Sequence, residues 1–137
     1  MRKVIISLAP VEAGKAIDKE KLVEDVVRCE QAGAAMCHLH CRRPDGSLTP
    51  DISELTDTFE RIAEKTDLII QASTGGVSDM SIEQRCNPLD YWRVESASLN
   101  GGTTNLGEAV YINTCLLYKY DAADDLKRVD LGGRRII

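Results

Sequence analysis

Apolar runs of strand length alternate with amphipathic helical stretches along most of this 137-residue chain. That alternation restricts the fold more than any other feature. Val4 to Leu8 reads as a strand buried on both faces. Asp18 stands where it can cap a helix with Leu22, Val23, Val26 and Val27 on its buried stripe, and Gly33 suits the helix end. A second strand follows in Ala34 to Arg42, then a turn at Arg43-Pro44-Asp45-Gly46-Ser47. Asp51 with Glu54 makes a capping-box-like start for a second helix, whose stripe is Leu55, Phe59, Ile62 and Ala63. Leu68 to Gln71 is a third strand. Ser81 with Gln84 starts a short helix that Pro88 interrupts or ends, and Glu95 to Leu99 is a weaker fourth strand. The repeat is roughly thirty residues, the length of a parallel βα unit. Two closures are natural: an open doubly wound sheet, or a (β/α)8 barrel of about 250 residues, of which four units are half.

The polar residues fall in one place relative to these strands. Glu12, then His38 with His40, then Gln71 with Ser73 and Thr74, then Thr103 with Asn105 all lie at or just after strand carboxyl ends. Parallel α/β folds bring those ends to one face, which carries the active site. His38 and His40 are the only histidines. Two residues apart on a strand, they project the same way, about 7 Å apart along the chain, with Leu39 opposite. Neutral imidazoles so placed suit a divalent metal. A lone His-x-His pair is more often a satisfied core pair, and two ligands do not complete a zinc site, so a third must come from elsewhere. Convergence of four strand ends on one mouth favours the metal reading. The turn Ser73-Thr74-Gly75-Gly76 offers hydroxyl and backbone N–H groups to a carboxylate or phosphate, or is an ordinary turn. Thr103 and Asn105 read likewise. Glu12 suits a substrate ammonium or a base, and equally a solvated loop. Arg42 suits an anionic substrate or Asp45.

Composition narrows the partners. The net charge of −5, with basic residues scattered, argues against a nucleic-acid footprint. No stretch approaches a membrane span, and the apolar run at the start is too short for a signal sequence. Five cysteines without a Cys-x-x-Cys pair favour free thiols in a reducing compartment, so the expected address is the cytosol. Cys37 and Cys41 flank the histidines on the opposite strand face and read as small packing residues, with Cys41 the one able to turn toward a metal.

Assembled in order, these segments resemble the β-keto acid cleavage enzyme family. The matching pieces are Gly33-Ala34-Ala35 before His38-Leu39-His40, Arg42 with Pro44-Asp45-Gly46, the run from Ile69 to Gly76, the run from Ala97 to Gly107, and Val110-Tyr111-Ile112-Asn113-Thr114. The resemblance implies a zinc-dependent enzyme of the (β/α)8 TIM-barrel class, with residues 1–114 as its amino-terminal half and 115–137 as a divergent tail. It implies a reaction in which a β-keto acid and acetyl-CoA give acetoacetate and a new acyl-CoA. His38 and His40 match the family's two histidine ligands. Ser73, Thr103 and Asn105 match positions around the substrate's carboxylate and keto group, and Glu12 falls where the family's aminohexanoate-cleaving member holds the substrate's amino group.

Two departures matter. The family's third ligand is a glutamate in a Glu-Asp-Asn segment, whose aspartate takes part in proton transfer, and this sequence has no such segment. No catalytic residue is therefore assigned. Cys115 to Ile137 is charged and lacks a strong strand, which suggests a truncated or frame-shifted product. A half-barrel would expose strand edges and should form a homo-oligomer. The alternatives are a catalytically dead fragment acting as an oligomeric module, and a barrel metallohydrolase, which typically carries His-x-His on its first strand.

Overall fold

A computed structural model describes residues 4–12, 14–75, 80–98, 100, 102–106 and 109–113. Four parallel strands form one sheet: β1 (Ser7–Leu8), β2 (Met36–Leu39), β3 (Ile69–Ser73) and β4 (Ser96–Ser98), adjacent in chain order. Their connections hold α1 (Lys19–Gln31), α2 (Ser53–Lys65) and the short α3 (Ile82–Cys86). The fold is α/β with a parallel sheet. The described strands show no reversal of order, which a doubly wound sheet would require. A separate antiparallel pair, β5 (Thr104–Leu106) and β6 (Ala109–Tyr111), follows. Residues 115–137, expected as a divergent tail, lie outside the described residues.

Local signals set the helix ends. Asp18 accepts the Lys21 N–H at 3.0 Å, satisfying one orphan donor of α1. Gly33, at φ 103°, ends it in a conformation that a side chain would resist. Ser81 and Gln84 form a reciprocal capping box on α3. The start of α2 differs from expectation. Its first residue is Ser53, and Asp51 accepts from both the N–H and the hydroxyl of Ser53 in an Asx turn, so Glu54 is not needed as a partner.

The core lies between the helices and one face of the sheet. Leu22, Val23 and Val26 from α1 and Leu55, Phe59 and Ile62 from α2 meet Cys37, Leu39, Ile70 and Ala72 from β2 and β3. Each large side chain fully buried there contributes about 1.5–3 kcal/mol. Burial of this face leaves the alternate residues Met36, His38 and Gln71 half-buried on the other. The first strand is shorter than its apolar run. Val4, Ile5 and Ile6 are 80%, 63% and 53% exposed rather than buried on both faces. These three residues precede β1, which among the described strands has a neighbour on one side only.

Candidate metal and substrate site

His38 is near the end of β2, and His40 lies just past it, where the chain has left the sheet. Release from the ladder lets the second ring swing toward the first. The ring centroids are 5.1 Å apart, nearly perpendicular at 82°, and the two Nε2 atoms are 3.3 Å apart. Tetrahedral zinc with Zn–N bonds of about 2.0–2.1 Å sets its nitrogen ligands about 3.3 Å apart. The pair therefore has the spacing of two ligands on one ion. His38 Nδ1 is hydrogen-bonded to Gln71 Oε1 at 2.9 Å. His40 Nδ1 is buried without a partner. Burial pushes the His40 pKa down to about 4, with the neighbouring His38 and then Arg42 adding to the shift. The ring is thus neutral at neutral pH, the state in which an imidazole nitrogen can coordinate.

Ser73 and Gly75 border the pair. A Cβ placed on Gly75 would lie 3.1 Å from Ser73 Oγ and 3.5 Å from His40 Cε1, so the loop after β3 packs its bare backbone against the imidazole. The Gly75 N–H donates to Ser73 Oγ at 3.1 Å. Ser73 and Thr74 are both buried, and the Thr74 hydroxyl donates to the Ser98 carbonyl, tying the loop to β4.

The remaining expected residues make no described hydrogen bond to the histidine pair. Glu12 is exposed and paired with Lys15 at 2.6 Å. Thr103 and Asn105 are exposed, and among the described contacts no hydrogen bond joins either to the histidines. Residues 104–106 form a hairpin strand rather than the expected loop; Asn105 pairs with Val110. Arg42 does not pair with Asp45: its Nη1 donates to the Gly46 carbonyl at 2.6 Å, while Asp45 accepts from the backbone and hydroxyl of Ser47. Gly46, at φ 87°, has no room for a side chain, since a Cβ there would lie 2.1 Å from the Lys15 carbonyl oxygen. Cys41 is turned from the histidines, and its thiol donates to the Asp51 carbonyl. Burial pushes the thiols of Cys37 and Cys41 up to about 12 and 11, as inert packing residues. Among the described residues no group of three His, Cys, Asp or Glu side chains is placed to hold a metal.

Arg85 is the residue that sequence reasoning missed. It is buried at 6% exposure. Its Nε donates to the Thr74 carbonyl at 2.9 Å, Nη1 to the Ile112 carbonyl at 3.0 Å, and Nη2 to the Tyr111 hydroxyl at 2.8 Å and to Asn113 Oδ1. The guanidinium also stacks on the Tyr111 ring, 4.4 Å from its centroid. One side chain thus fastens the loop that follows Ser73 to the segment leaving the hairpin. The available signal was helical spacing: Ile82 and Arg85 share a face once Ser81 is the cap.

Fold and site together define a parallel α/β protein with a histidine pair at a strand carboxyl end, bordered by a hydroxyl- and glycine-bearing loop. A family model described as beta-keto acid cleavage enzyme matches residues 15–123. The chain belongs to that family. It is 32% identical over 129 residues to a 3,5-dioxohexanoate:acetyl-CoA acetone transferase of Paraburkholderia graminis, covering 88% of this chain and 42% of the relative. It is 36% identical over 126 residues to 3-keto-5-aminohexanoate cleavage enzymes of Fusobacterium nucleatum and of Acetoanaerobium sticklandii, covering in each case 83% of this chain and 45% of the relative. The chain thus spans less than half the length of these curated relatives.

Proposed function

We propose that this chain is the zinc-carrying half of a (β/α)8 β-keto acid cleavage enzyme. In the reaction, the bond between the keto carbon and the α-carbon that bears the carboxylate breaks, and so does the bond between the acetyl carbonyl and the sulfur of acetyl-CoA. The acyl fragment passes to CoA, and the carboxymethyl fragment takes the acetyl group, giving acetoacetate and a new acyl-CoA. The observation that carries this reading is the convergence of His38 Nε2 and His40 Nε2 at 3.3 Å. Family membership and the names of the relatives point the same way.

His38 and His40 would hold the ion, which when bound supplies Lewis-acid polarisation of the keto oxygen. Ser73 offers its hydroxyl beside His40 to the substrate carboxylate. Thr103 and Asn105 complete the contacts to carboxylate and keto group, and Glu12 receives an amino substituent where the substrate has one. The third ligand and the proton-transferring carboxylate come from outside the described residues. The proposed compartment is the cytosol; among the described residues no helix is long and apolar enough to cross a membrane.

The test is zinc titration against a chromophoric chelator, together with acetyl-CoA-dependent acetoacetate formation from a β-keto acid. Zinc binding that is lost in His38→Ala and His40→Ala supports the site, and turnover supports the activity. Absence of both in folded protein sinks the reading. A second reading, an inactive module that self-associates, is favoured by the exposed Val4, Ile5 and Ile6 ahead of β1. It predicts a dimer or larger species by light scattering and no response of the melting temperature to zinc.

A further inference from the structure

A row of polar side chains crosses the open face of the sheet. His38 is the register partner of Gln71, and Gln71 that of Ser96, so the three stand abreast on β2, β3 and β4. Gln71 Oε1 lies 2.9 Å from His38 Nδ1, and Gln71 Nε2 donates to Ser96 Oγ at 3.1 Å. A carboxamide accepts only at its oxygen and donates only at its nitrogen. With the nitrogen engaged by Ser96, the oxygen faces the imidazole, and His38 must carry its proton on Nδ1. Its Nε2 then keeps a lone pair that, before any metal binds, accepts from the Nε2–H of His40 3.3 Å away.

We propose that Gln71, held by Ser96, is a positioning residue that sets the tautomer of His38 and aims its Nε2 at the metal position. Which nitrogen of a histidine is free to coordinate depends on the hydrogen bond made by the other. A glutamine is suited to this task because it is neutral, presents its acceptor oxygen to the ring as placed here, and cannot itself compete as a strong ligand. The effect on metal affinity rests on the zinc reading above; the tautomer assignment does not.

The experiment uses the whole chain labelled with 15N-histidine, at about pH 8, above the ordinary imidazole pKa. Long-range 1H–15N spectra report which ring nitrogen bears the proton. The expected result is Nδ1–H for His38 before any zinc is added. Gln71→Leu shifts it toward Nε2–H and weakens zinc binding about 10–100-fold, the usual consequence of losing such a partner. Gln71→Glu, which keeps an acceptor oxygen, retains the Nδ1–H form. Should Gln71→Leu fail to fold, Ser96→Ala frees the amide and gives an intermediate shift. Nε2–H in the wild type, or a tautomer unmoved by these substitutions, overturns the proposal. An unchanged zinc affinity beside a moved tautomer overturns its aiming role. If the wild type binds no zinc, the zinc reading falls, while the tautomer readout still decides the role of Gln71.

Discussion

Replacing Arg85 with methionine should destabilise this protein by about 3 kcal/mol, because the loss is of partners rather than of volume. Methionine follows the course of the aliphatic stem, so the packing of α3 is kept. What disappears is the fork that donates to Thr74, Tyr111, Ile112 and Asn113. Ile112 is 52% exposed, and its carbonyl can turn to water, whereas Thr74, Tyr111 and Asn113 are 8%, 3% and 2% exposed. Three dry acceptors at about 1 kcal/mol each, with about 1 kcal/mol from the stacked cation, total about 4 kcal/mol. Relief of desolvation offsets about 1 kcal/mol of this, since among the described residues no ion pair involves Arg85. A loss of this size is a large share of the stability of about 5–15 kcal/mol typical of a domain. Urea unfolding followed by far-UV circular dichroism measures it, with Arg85→Lys as the variant that keeps charge but not the fork. Lysine should recover no more than half the loss. Hydrogen exchange of residues 109–113 should accelerate in Arg85→Met, since their tether to the β3 loop is cut. Wild-type stability within about 0.5 kcal/mol, the range of an ordinary surface substitution, would refute the reasoning.

Two further outcomes follow from the histidine pair. His40 is held neutral in the folded chain with its pKa lowered to about 4, while an unfolded histidine titrates near 6.5. Its contribution is therefore complete above about pH 6.5 and is lost progressively as pH falls toward 4, because the unfolded state binds the proton first. In zinc-free protein, melting temperature against pH should show that acid limb, and His40→Asn should flatten it between those values. Gly75→Ala should leave melting nearly unchanged, because the new methyl is 3.1 Å from Ser73 Oγ and that hydroxyl can rotate. It should leave zinc binding nearly unchanged as well, since the same methyl meets His40 Cε1 at 3.5 Å, an ordinary van der Waals contact; a several-fold loss in chelator competition would refute this.

Much of the architecture was legible because it rests on short-range signals. The buried stripes of α1 and α2 recur at helical spacing. Asp18, Gly33 and the Ser81–Gln84 pair mark ends through hydrogen bonds that span three residues or fewer. Where long-range packing decides, the expectations moved. The apolar start of the chain, Val4 to Ile6, precedes β1 and is largely solvent-exposed in the described structure. Cys41 faces the core as its spacing indicates, although it lies past the end of β2, and its thiol is held by the Asp51 carbonyl.

By itself, the amino-acid sequence determined that strands and helices alternate, that two imidazoles share one side of a strand, and that hydroxyls and glycines gather at the following strand ends. Those are consequences of spacing, which the chain carries everywhere it goes. Only the tertiary structure decided the register that sets Gln71 between His38 and Ser96, the departure of His40 from the ladder that brings its Nε2 to its neighbour's, and the burial of Arg85 as a fastener between two loops. The first and last of these depend on how segments 11 to 33 residues apart come to rest against one another, information that no window of neighbouring residues contains.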